Sequence, residues 1–164
     1  SPDGSVVNNS AVIFTEVDNT KPFTFTAKVQ PEFTETGTYS AGVIYAYEND
    51  THCQKLCFEQ DEYGDHRVVS VRTLGTSDDN NHQAITAPYV YMRLSSDGTT
   101  LGSYFSEDGK IWRMARLYKN DFPEKLLIGI SSQSPKDNEH TCLFTEVSLT
   151  DKPVADFRKG NIAE

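Results

Sequence analysis

A chain of 164 residues suits one domain, and a hydrophobic fraction of 37% with 11% aromatics is enough for one core and argues against disorder. The formal charge of −9, without any run of Lys or Arg, disfavours nucleic acid and anionic membrane surfaces as partners, since neutralising phosphates takes a basic patch. No apolar stretch approaches the ~20 residues that cross a bilayer, and the polar opening Ser1-Pro2-Asp3-Gly4 reads without a signal peptide.

Taken in chain order, short runs of β-formers alternate with turn residues, the pattern of a two-sheet antiparallel sandwich spanning residues 1–164 as a single domain. The predicted strands are Ala11–Val17, Phe23–Val29, Ser40–Tyr47, Gln54–Glu59, Val68–Leu74, Tyr89–Leu94, Leu101–Ser106, Trp112–Tyr118, Leu126–Ser132 and Cys142–Leu149. Turn chemistry separates them at Glu62-Tyr63-Gly64-Asp65, Ser96-Asp97-Gly98 and Glu107-Asp108-Gly109-Lys110; in the two Asp-Gly pairs, glycine supplies the positive φ of a tight hairpin. Ser77–Asn81 reads as a loop, and Asn120–Lys125 as at most one helical turn. No amphipathic helix is predicted.

Three cysteines, Cys53, Cys57 and Cys142, cannot all pair within one chain. The odd count points to free thiols and a cytoplasmic setting, and it outweighs the sequons at Asn8 and Asn49, which recur by chance. His52, Cys53 and Cys57 make a weak zinc signal, because a structural site needs four ligands and positions 53 and 57 lie ~13 Å apart along a strand. Neither a metal nor another cofactor is expected.

Side chains alternate along a strand, so each run can be split into two faces. Leu56 and Phe58 share one face of their run, and Lys55, Cys57 and Glu59 the other. Val69 and Val71 oppose Ser70 and Arg72; Val90, Met92 and Leu94 oppose Tyr89, Tyr91 and Arg93. One apolar and one polar face per run is the signature of a sheet with one wet side. If these strands are neighbours, Lys55, Glu59, Arg72, Tyr91 and Arg93 line one surface, which would form a binding groove if curved. Two readings of that surface stand: a site for a polyhydroxylated or carboxylated ligand with tyrosine platforms, or a cross-strand ladder of ion pairs. Asp78, Asp79 and Asn80 could bound the groove and contact ligand hydroxyls, bind a cation, or simply bond their own backbone in a turn. Gln133 ends a strand where its amide would reach the groove rim. Trp112 is expected in the core.

From about Ser40 onward the chain resembles the domain-of-unknown-function 1349 family. The residues that carry the resemblance are Ala41-Gly42-Val43-Ile44-Tyr45, Lys55-Leu56-Cys57-Phe58-Glu59, Val69-Ser70-Val71-Arg72-Thr73, Gly75-Thr76-Ser77-Asp78-Asp79-Asn80-Asn81, Tyr91-Met92-Arg93-Leu94, Ser106-Glu107-Asp108-Gly109-Lys110-Ile111-Trp112 and Ile128-Gly129-Ile130-Ser131-Ser132-Gln133-Ser134-Pro135. The segment Asp156-Phe157-Arg158-Lys159-Gly160 resembles the family's ending. The resemblance implies a concanavalin A-like jelly-roll sandwich. It also implies a tryptophan just before Lys55, where this chain has His52-Cys53-Gln54.

The function expected is a lectin-like module holding a glycan or small polar ligand on a polar, concave sheet face, through Lys55, Glu59, Arg72, Asp78, Asp79, Asn80, Tyr91, Arg93 and Gln133. Two alternatives are a glycoside-processing enzyme with Glu59 as acid or base, and a regulatory or protein-interaction module. No nucleophile motif such as G-x-S-x-G is present, and no residue is singled out as catalytic. The oligomeric state is not readable from the sequence.

Overall fold

The computed structural model describes residues 10–136 and 139–163; the sequon at Asn8 lies outside them. Their regular structure is strand throughout: β1 (Ala11–Asp18), β2 (Phe23–Pro31), β3 (Ala41–Asn49), β4 (His52–Gln60), β5 (His66–Leu74), β6 (Thr76–Ala84), β7 (Val90–Ser96), β8 (Thr100–Ser106), β9 (Arg113–Lys119), β10 (Lys125–Gln133) and β11 (Cys142–Thr150). They form a six-stranded sheet, β1-β10-β3-β4-β5-β6, packed on a five-stranded sheet, β11-β2-β7-β8-β9. Every pairing is antiparallel. This is the two-sheet antiparallel sandwich expected from the strand pattern, with the jelly-roll architecture that the family resemblance implied.

Alternation builds the core. Phe23, Phe25, Ala27 and Val29 of β2 and Val90, Met92 and Leu94 of β7 face Ile44 and Ala46 of β3 and Leu56 and Phe58 of β4, with Leu126 and Ile128 of β10 in the same cluster. Two turns show why their residues are where they are. At Gly98, with φ of 91°, the β7–β8 hairpin closes while Asp97 Oδ1 accepts the amides of Thr99 and Thr100. At Gly75, with φ of 76°, β5 turns directly into β6, and the Gly75 amide donates to the Thr51 carbonyl at 2.8 Å.

Three expectations are corrected. Ser77–Asn81 belongs to β6, an exposed edge strand that pairs with β5 from Ser77↔Thr73 to Asn81↔Val69. Its Asp and Asn residues disfavour strand locally, and pairing with β5 overrides that preference. Asn120–Lys125 contains no helical turn. Instead the buried Asn120 and Asn19 exchange amide hydrogen bonds of 3.1 and 2.7 Å, tying the β1–β2 turn to the β9–β10 connection. Trp112 precedes β9 and is only half-buried, with its ring stacked on Arg93 rather than placed in the core.

The segment after β11 crosses the outer face of the five-stranded sheet. Thr24 Oγ1 donates to the Lys152 carbonyl at 2.6 Å, the Val154 amide to Ser95 Oγ at 2.9 Å, and Tyr104 Oη to the Phe157 carbonyl at 2.8 Å. The part of that face around Thr24, Ser95 and Tyr104 is therefore covered by the protein's own chain.

Candidate functional site

The opposite surface, the outer face of the six-stranded sheet, is built on two layers of residues. Ala41 and Val43 of β3, Cys57 of β4 and Val69 and Val71 of β5 point away from the main core and form a second apolar cluster. Val43 and Cys57 are 0% exposed, so this floor is as shielded as the core itself. Around it the register sets polar groups. One row across the sheet runs Gly129, Tyr45, Lys55, Val71, Asp79; a second runs Gln133, Ala41, Glu59, Arg67. Lys55 and Glu59 thus stand at the two ends of the Cys57 floor, roughly 13 Å apart along β4.

Glu59 is the unusual group. It is half-buried, yet among the described residues its carboxyl forms no hydrogen bond or ion pair. Burial pushes its carboxyl up to about 7; Lys55 pulls it down, while Asp79, Asp61 and Glu62 push it further up. Lys55 Nζ donates to Gln133 Oε1 at 3.5 Å, a long bond that leaves the ammonium with unused donor capacity. Arg67, next to Glu59, is instead engaged by Asp61, whose Oδ2 accepts from Nε at 2.6 Å. Burial also drives the Cys57 thiol up to about 12, which removes it as a nucleophile at neutral pH. Among the described residues, no three His, Cys, Asp or Glu side chains gather as metal ligands.

The structure therefore brings Lys55, Glu59, Asp79 and Gln133 to one face and separates the rest. Arg72 is a correction: it pairs with Gln54 on the side of β5 turned toward the other sheet. There its guanidinium lies 4.1 Å from the centre of the Tyr118 ring and Nη2 donates to Asp121 Oδ2 at 2.7 Å. Asp78 and Asn80 pair with Arg72 and Ser70 and share that side, where Arg116 Nη2 reaches Asp78 Oδ1 at 3.5 Å. Tyr91 and Arg93 lie on the other sheet altogether. Tyr91 Oη donates to Glu146 Oε2 at 3.0 Å, and Tyr89 and Tyr91 flank Lys28, whose Nζ lies 4.0 Å from the Tyr89 ring centre. Arg93 is 4% exposed, enclosed by Thr26, Trp112 and the Gly160 carbonyl.

Sequence reasoning missed an aromatic group on the Lys55 face. Phe14 stacks on Tyr47 with ring centres 5.0 Å apart, and Tyr45 meets both edge-on at 6.0 and 6.3 Å. A signal existed. Tyr45 and Tyr47 are two apart in a predicted strand, and a hairpin closed near Asn49 sets Tyr45 opposite Lys55.

The family described as "Protein of unknown function (DUF1349)" matches residues 1–152. The match takes in β1 and β2, ahead of the segment where the resemblance was read, and stops before Asp156–Gly160. No curated protein matches the chain. Among solved structures, a functionally unknown protein from Saccharomyces cerevisiae superposes with a TM-score of 0.81 at 24% identity, over 91% of this chain and 78% of that one. Xylan β-1,4-xylosidase from Bacillus halodurans gives 0.70 at 14% identity, over 86% of this chain and 30% of the enzyme. An alginate lyase from Pseudomonas aeruginosa gives 0.54 at 11% identity, over 82% of this chain and 66% of the lyase. At these identities the likeness shows the fold alone.

Proposed function

Because the chain belongs to the DUF1349 family, whose description assigns no activity, we propose from the site itself that it is a carbohydrate- or polyol-binding module. The ligand lies on the outer face of the six-stranded sheet, between Lys55 and Glu59. The observation that carries this reading is the unpartnered Glu59 carboxyl facing Lys55 across a shielded apolar floor. The Lys55 ammonium, the Glu59 carboxyl and the Gln133 amide, set around a floor that shields them from below, supply donors and acceptors for hydroxyls. Asp79 closes the row on the β6 side.

A glycan array followed by calorimetry tests it. Saturable binding is expected, weakened about 10-fold or more by Lys55→Ala and by Glu59→Ala, since a hydrogen bond to a charged group is worth about 1.5–3 kcal/mol. Lys119→Ala, on the other sheet, leaves it unchanged. Absence of binding across neutral and charged glycans, or binding indifferent to both site variants, overturns the proposal.

A second reading is favoured by one feature, the Glu59 carboxyl at about 7, which suits a general acid–base group at neutral pH. Turnover of a chromogenic glycoside panel that disappears in Glu59→Gln would establish catalysis over binding alone.

A further inference from the structure

The face does not end at Lys55. Along the same register row, Lys55 is followed by Tyr45 on β3, Gly129 on β10 and Phe14 on β1. Three strand spacings separate Lys55 from Phe14, roughly 14 Å. Gly129 is what allows Phe14 to lie down on the sheet: a Cβ there would collide with the Phe14 ring and the Ile13 carbonyl. Tyr47 is held by its own hydroxyl, which donates to Asp50 Oδ1 at 2.7 Å. The three rings brace one another and remain partly exposed, so they form a fixed aromatic surface beside the polar one.

We propose that Phe14, Tyr45 and Tyr47 form a second subsite continuous with the Lys55–Glu59 subsite, and that the ligand is an extended, neutral oligosaccharide lying across the strands from β4 toward β1. The inference rests on the carbohydrate-binding reading and specifies its substrate class. A single sugar would use only one of the two surfaces; a chain uses both, one ring stacked on the aromatic group and another hydrogen-bonded between Lys55 and Glu59. Charge selects neutrality. Lys55 faces the carboxyls of Glu59 and Asp79, and the nearby Arg67 is committed to Asp61. A polyanionic chain would meet repulsion that one ammonium does not offset.

NMR titration of the full chain tests this with xylose, glucose and mannose, with their β-1,4-linked tetrasaccharides, and with tetragalacturonate. The expected result is an affinity for one neutral tetrasaccharide about 10-fold or more above that of its monosaccharide, with tetragalacturonate binding more weakly than that tetrasaccharide. Aromatic stacking contributes enough for such a gain. Phe14→Leu, which keeps apolar bulk but loses the aromatic plane, removes the gain and leaves monosaccharide binding intact; Tyr47→Leu does the same. Equal affinity for the monosaccharide and tetrasaccharide, a gain that survives both variants, or preference for the galacturonate overturns the proposal. So does loss of monosaccharide binding in Phe14→Leu with an unchanged melting curve, because the two surfaces would then not be separate subsites. These outcomes leave the carbohydrate-binding reading standing. If no sugar of any length binds, that reading falls and this one with it.

Discussion

The guanidinium carbon of Arg93 lies 3.6 Å from the centre of the Trp112 ring, and from there Nη1 donates to the Gly160 carbonyl at 2.6 Å. The arginine therefore joins a strand of the five-stranded sheet, the β8–β9 connection and the segment after β11. Burial pulls its guanidinium down to about 10, still charged at neutral pH. Arg93→Ala is expected to cost about 2–4 kcal/mol, combining a desolvated cation–π contact with hydrogen bonds to a charged donor. Arg93→Lys should recover little, lacking the planar fork. Urea unfolding measures both, and limited proteolysis should show earlier cleavage after Thr150; an Arg93→Ala protein as stable as the parent would contradict this role.

The Glu59 carboxyl predicts a pH slope. Its folded value, about 7, lies above the 4.5 ordinary for a glutamate, so the folded state holds the proton more tightly. Stability from this group is full below about 4.5 and is lost as pH rises through 7, by roughly 3 kcal/mol. Glu59→Gln should flatten the slope and leave the protein more stable than the parent at pH 8. Thermal unfolding between pH 5 and 8 checks the sign; a parent protein that gains stability across this window from Glu59 would refute it.

Arg72 and Asp121 make a prediction of the opposite kind. Burial works against the Asp121 carboxylate, but the His52 hydrogen bond and the Arg72 guanidinium hold it below the usual range. Its contribution is present above the unfolded value and fades as pH falls through the folded one. A double-mutant cycle of Arg72→Ala and Asp121→Ala should give a coupling of about 1 kcal/mol, since the pair is partly screened. Sugar affinity should not follow that coupling.

Gly129→Ala tests the close approach of β1 and β10. The added methyl meets the Phe14 ring and the Ile13 carbonyl. We expect a loss of about 1–3 kcal/mol, as for other overpacked positions, read as a lowered melting temperature. An alanine variant with parental stability would mean that Phe14 does not rest on this residue.

The architecture was largely legible because hydrophobic alternation and Asp-Gly turns act locally, and so was the shared face of Lys55 and Glu59, which lie on one strand. Arg72 was misplaced for a physical reason. Periodicity says that Val69 and Val71 share a side, not which side meets the other sheet; here these valines belong to the outer cluster, and Ser70 and Arg72 turn inward. Sheet membership was equally hidden. β7 pairs with β2, some sixty residues away in sequence, and nothing within Tyr89–Leu94 encodes that partner. β6 was invisible because its residues have little preference for strand and adopt it through pairing with β5.

The edge position of β6 bears on how the protein behaves among many copies of itself. A border strand with unpaired backbone groups is a template on which another chain can extend the sheet. Here that border carries Asp78, Asp79, Asn80 and Asn81, all exposed. Two such borders laid side by side would bring carboxylate toward carboxylate, and like charges set opposite each other weaken strand pairing. The stretch with the least affinity for β-structure thereby guards the molecule against aggregation at this margin.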